Sequence, residues 1–86
     1  MNVVFHKTFQ KMFKKLPTKV QEKVGVRIEL FVNDPLNGQL RNHSINVPYK
    51  DSRSIDITGD YRAIYKLVDK ETALFTHVGT HNQLYR

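Results

Sequence analysis

The 86-residue chain has no cysteine. Disulfides and thiolate metal sites are therefore excluded, which suits a reducing compartment and makes a cytoplasmic location the expectation. No apolar run approaches the roughly 20 residues needed to span a bilayer, and the N-terminus lacks the pattern of a signal peptide. No membrane association is expected. The four glycines form no phosphate-cradling loop, nucleophile elbow or dinucleotide fingerprint. There is no internal repeat, low-complexity stretch or linker. The length leaves room for one modest core, so residues 1–86 read as one domain with a thin margin of stability, which a covering partner would improve.

Acidic side chains are also scarce. Eight Asp and Glu face fourteen Lys and Arg, a net charge of +6. On so small a surface this excess produces a positive field that attracts polyanions, either nucleic acid or an acidic protein. Charge alone does not separate the two.

The apolar pattern predicts an α+β fold. Val3-Val4-Phe5 reads as a first strand. Thr8 is placed to cap a helix whose stripe is Phe9, Met12, Phe13 and Leu16. Pro17 interrupts, and Thr18 with Gln21 has the spacing of a capping box for a second helix that buries Val20, Val24, Ile28 and Phe31. Gly25 weakens that helix, and Asn33-Asp34-Pro35 ends it. Residues 36–51 are polar and aperiodic, a long loop with room for one short strand. Ser54–Ile57, Tyr61–Val68 and Thr72–Val78 follow, separated by the turn-like Thr58-Gly59-Asp60 and Asp69-Lys70-Glu71. These make an antiparallel meander, and the two-helix hairpin is the only cover available for its apolar face. The other face is expected to be open to solvent, carrying Arg53, Asp56, Arg62 or Lys66 according to register. The chain ends in one short turn after His81.

Cleavage of RNA by its own 2′-hydroxyl needs a base for that hydroxyl, a cation at the phosphate and an acid for the leaving 5′ oxygen. His43, Asp60, Arg62 and His81 contain such a set. His81 follows Gly79-Thr80 at a strand end, from which a side chain reaches a ligand or lies solvated. His43 sits in the polar loop between Asn42 and Ser44. Asp60 occupies a turn, where it can also bond backbone N–H groups. Arg62 interrupts a strand-forming run, either to bind phosphate or to pair with Asp56 or Glu71. Tyr85 is placed to stack on a base or to clamp the C-terminus. Arg41, Lys50 and Arg53, with the lysines of the first helix, supply phosphate-tracking charge, and Asp56, Tyr61 and Lys66 complete the candidate RNA-binding set. His77 and His81 are four apart, but the strand context around Gly79 argues against a shared helical face. No metal or other cofactor is expected.

The stretch Asp60-Tyr61-Arg62-Ala63-Ile64-Tyr65-Lys66-Leu67, followed by Gly79-Thr80-His81-Asn82-Gln83-Leu84-Tyr85, resembles the RelE/ParE toxin superfamily, nearest its YafQ branch. Length, basic charge and element order agree along nearly the whole chain. The resemblance implies the toxin of a type II toxin–antitoxin module, an endonuclease acting on mRNA in the ribosomal A site and held inactive by a cognate acidic antitoxin, with oligomers formed through that antitoxin. It implies His81 as general acid, Asp60 or His43 as base and Tyr85 as the final aromatic. Two positions depart from the branch, which usually has histidine at Asp56 and tryptophan at Tyr61. Arg62 resembles the strand arginine of the RelE branch. A ParE-like poison of DNA gyrase and a catalytically inactive antitoxin-binding member are the alternatives.

Overall fold

A computed structural model describes residues 1–85. The chain runs β1 (Asn2–Phe5), α1 (Lys7–Lys14), α2 (Thr18–Asn33), a 3₁₀ turn (Gly38–Leu40), β2 (His43–Ile45), β3 (Ser52–Asp56), β4 (Tyr61–Asp69), β5 (Thr72–Thr80) and α3 (His81–Leu84). Both long helices appear where the 3.6-residue apolar stripes predict them, but their caps differ from expectation. The ring Nδ1 of His6 accepts the N–H of Thr8 at 3.1 Å, so α1 starts before Thr8. Pro17 precedes α2 without a side-chain cap. Gln21 is engaged elsewhere, since its Nε2 donates to the carbonyl of Phe13 at 3.0 Å and closes the end of α1.

The expected meander is present. Strands β2 to β5 pair antiparallel in sequence order, and β1 lies parallel to β5 at the other edge, giving the order β1-β5-β4-β3-β2. The long polar loop contains its short strand at His43–Ile45. Helices α1 and α2 cover one face. There Ala63 and Tyr65 of β4, Ala73, Phe75 and Val78 of β5 and Ile55 of β3 meet Phe9, Val24, Ile28 and Phe31. The centre is aromatic: Phe31 stands edge-on to Tyr65 at 4.8 Å and to Phe75 at 5.3 Å. Edge-to-face pairs add about 0.5–1.5 kcal/mol each beyond burial, so this cluster sets the seat of the helices.

The second face departs from the expectation of an open surface. Ile64, which alternates with the core residues Ala63 and Tyr65, is fully buried on that side. Leu84 of α3 is buried outside the main core as well, and the loop residue Tyr49 lies with its ring 4.6 Å from that of His77. The C-terminal turn and the β2–β3 loop thus fold over this face. Register also assigns three of the four charged candidates. Asp56 pairs with Arg62, on the second face with Ser54 and Ile64, whereas Arg53 pairs with Tyr65 on the helix side. No described helix is long and apolar enough to cross a membrane.

Candidate active site

The second face bears an open cleft of about 350 Å³, walled by Arg41, His43, Asp56, Arg62, His81 and Tyr85 over a floor of Ile45 and Ser54. Its walls come from the 3₁₀ turn, β2, β3, β4 and α3, which are far apart in sequence and are brought together by antiparallel pairing.

Arg62 is the most constrained group. Its Nε donates to Asp56 Oδ1 at 2.9 Å, and these two side chains are only 18% and 15% exposed. Its Nη1 donates to the carbonyls of Thr58, Gly59 and Tyr61 at 2.9, 3.2 and 3.0 Å. The β3–β4 turn therefore wraps the guanidinium and fixes its plane, and Thr58 Oγ1 tightens the same turn by accepting the N–H groups of Asp60 and Tyr61. Of the two ion-pair partners considered from the sequence, Asp56 is the one in place, because register sets it directly opposite Arg62. Glu71 lies in the β4–β5 turn at the far end of the strand. The second oxygen of Asp56 faces Arg41 Nε at 3.7 Å. Arg41 reaches it from a left-handed backbone conformation, φ 47°, at the end of the 3₁₀ turn.

His43 is oriented by its neighbour. Its Nδ1 lies 2.8 Å from the carbonyl of Arg41. A carbonyl only accepts, so Nδ1 carries a proton in this contact, and in the neutral form of the ring Nε2 is the nitrogen with the lone pair. On the opposite wall, His81 opens α3. Thr80 Oγ1 accepts the N–H of Gln83 at 3.1 Å while Gln83 Oε1 accepts the N–H of Thr80 at 2.9 Å, a reciprocal capping box. Gly79 makes this possible, since a Cβ there would stand 2.7 Å from Gln83 Oε1. The ring of Tyr85 lies 4.6 Å from that of His81.

The remaining candidates lie outside the cleft. Asp60 is an exposed turn residue whose backbone carbonyl accepts the N–H of His81 at 3.0 Å; its side chain does not line the cleft. Tyr61 packs on the helix side, partly buried against the main core. Arg53 is held behind the sheet by Asn42, with Nε 2.7 Å from Asn42 Oδ1. The same Asn42 donates to Tyr65 Oη at 2.8 Å. Lys50 in the β2–β3 loop and Lys66 on β4 are exposed and away from the cleft walls. Among the described residues no three His, Cys, Asp or Glu stand together as a metal-ligating group.

The family model for the bacterial toxin YafQ of type II toxin–antitoxin systems matches residues 1–86. The chain belongs to the YafQ toxin family. Its fold matches the crystal structure of Escherichia coli BL21(DE3) YafQ with a TM-score of 0.82 at 22% identity, over 99% of this chain and 98% of that one. It matches E. coli YafQ in the DinJ–YafQ toxin–antitoxin complex with a TM-score of 0.79 at 21% identity, over 99% and 97%. The RelB–RelE antitoxin–toxin complex of Methanococcus jannaschii gives a TM-score of 0.74 at 26% identity, over 94% and 93%. The fold is thus that of the RelE-like toxins. No curated protein matches the sequence.

In this YafQ-family chain, residues that shape the cleft without having been singled out from the sequence include the cap of α3 behind His81 and the floor residue Ser54. The Thr80–Gln83 pair had a readable signal, the capping-box spacing inside the terminal motif. Ser54 had none. Its hydroxyl is buried at the cleft floor with no hydrogen-bond partner among the described residues, and only the strand register reveals which way it faces.

Proposed function

We propose that this toxin is an endoribonuclease that cuts ribosome-bound mRNA by attack of the 2′-hydroxyl on the adjacent phosphate, with side chains handling the protons. The observation that carries this reading is the convergence of His43, Arg62 and His81 on one cleft from β2, β4 and α3. His43 Nε2 takes the proton of the 2′-hydroxyl as its oxygen bonds to phosphorus. Arg62, held in place by Asp56 and the turn carbonyls, presents its remaining edge to the phosphate, with the exposed side chain of Arg41 beside it. The bond from phosphorus to the 5′ oxygen breaks, and His81 gives that oxygen a proton. The products are a 2′,3′-cyclic phosphate and a 5′-hydroxyl. Tyr85 stacks on a base next to the cut. Asp60 serves by holding the backbone of His81, and Asp56 by holding Arg62 in place.

Arg41, Lys50 and Lys66, with the lysines of α1, track the phosphates of mRNA and ribosomal RNA. An acidic antitoxin masks this charge, as the complexes of YafQ with DinJ and RelE with RelB suggest by analogy. Induced expression should arrest translation and leave cuts in ribosome-bound mRNA, and His81→Ala should abolish both. Growth arrest by His81→Ala at the wild-type level, or double-strand DNA breaks with translation intact, would overturn the reading.

A further inference from the structure

We propose that Tyr49 is a positioning residue that straps helix α3 across the second face and so fixes His81 at the cleft. The inference rests on the role given to His81 above.

Helix α3 is a single turn of four residues, His81–Leu84. So short a helix does not persist unaided and must be held at both ends. Its N-terminal end is held by Thr80 and Gln83. At the C-terminal end the carbonyl of Leu84 has no partner within the helix. Tyr49 Oη donates to it at 2.7 Å, from 35 residues earlier in the chain. The ring of Tyr49 lies 4.6 Å from His77 on β5 and stands edge-on to Tyr85 at 6.1 Å, and Tyr85 in turn lies 4.6 Å from His81. A continuous series of rings therefore runs from the sheet through Tyr49 to the imidazole.

Tyr49 is not among the cleft walls, so it acts through α3 rather than on RNA. Burial, then the neighbouring Tyr85, raise its phenol above the ordinary value, which keeps the proton on the oxygen that donates to Leu84. The β2–β3 loop thus does more than join two strands. It reaches over β4 to the opposite wall of the cleft, and its conformation sets the distance between the proton acceptor at His43 and the proton donor at His81.

Tyr49→Phe removes one hydroxyl and keeps the ring, so it tests the strap without emptying the second face. Cleavage of ribosome-bound mRNA by purified toxin should slow about tenfold in kcat with KM unchanged, since a small misplacement of a reacting group costs one to two powers of ten. An unchanged kcat, or a loss that appears in KM alone, overturns the proposal. The imidazole Hε1 resonance of His81 provides a readout that needs no activity. Tyr49→Phe should shift or broaden it while leaving that of His43 in place, and an unmoved His81 signal overturns the strap. If His81→Ala cleaves as well as wild type, the functional reading fails instead, and the resonance still decides the role of Tyr49.

Discussion

Replacing Asp56 tests whether Arg62 is held by its carboxylate. The pair is 2.9 Å apart, with the side chains 15% and 18% exposed, so it lies between a surface ion pair, about 0.2–1 kcal/mol, and a buried one, whose breakage costs about 3–5 kcal/mol. Arg62 would keep its three carbonyl acceptors, which limits the loss. Arg41 contributes little, because it is 78% exposed and stands 3.7 Å away. Asp56→Ala should therefore cost about 2 kcal/mol, which for a domain of this size lowers Tm by about 10 °C. Asp56→Asn retains an oxygen for Arg62 Nε and should cost about 1 kcal/mol. Urea denaturation of Asp56→Ala, Arg62→Met and the double variant gives the coupling directly. In the Arg62→Met background the cost of Asp56→Ala should fall below about 0.5 kcal/mol. The same cost in both backgrounds would refute the reasoning, as would Asp56→Ala melting with the wild type.

Gly79→Ala forces a methyl against Gln83 Oε1 and opens the capping box; it should cost about 1 kcal/mol in thermal melts and reduce RNA cleavage by more than that loss of stability explains. Gly25→Ala should raise stability by about 1 kcal/mol without altering cleavage, because Gly25 is inside α2 and an added methyl meets nothing. Burial, and then the charge of His6, lower the pKa of His77. The unfolded chain therefore takes up this proton first, so the contribution of neutral His77 to stability is complete above about pH 6.5 and declines as pH falls below it. Chemical denaturation between pH 7 and 5 should show that slope, and His77→Gln should flatten it.

Much of the fold was legible because α1, α2 and β3 to β5 carry strong local patterns. The helical stripes through Phe9 and Phe31 and the turns at Thr58-Gly59-Asp60 and Asp69-Lys70-Glu71 each specify their own element. What was not legible depends on non-local geometry. Nothing in Asn2–Phe5 says that it lies parallel to β5. Arg53 and Asp56 are both charged residues on one strand, and only register sends Arg53 behind the sheet to Asn42 while setting Asp56 against Arg62. The cover of the second face was missed because Tyr49 sits in an aperiodic loop, and its partner is a backbone carbonyl 35 residues away. The cleft residues His43, Arg62, His81 and Tyr85 could be picked out by chemistry. The exclusion of the Asp60 side chain could not, since a turn residue's direction is set by the turn it closes.

The central claim is tested most directly by the chemistry of the cut ends. Purified toxin should cleave ribosome-bound mRNA to fragments ending in a 2′,3′-cyclic phosphate and a 5′-hydroxyl, and a single 2′-deoxy substitution at the scissile nucleotide should block the cut. Cleavage that survives the 2′-deoxy substitution, or that leaves a 5′-phosphate, would contradict the account.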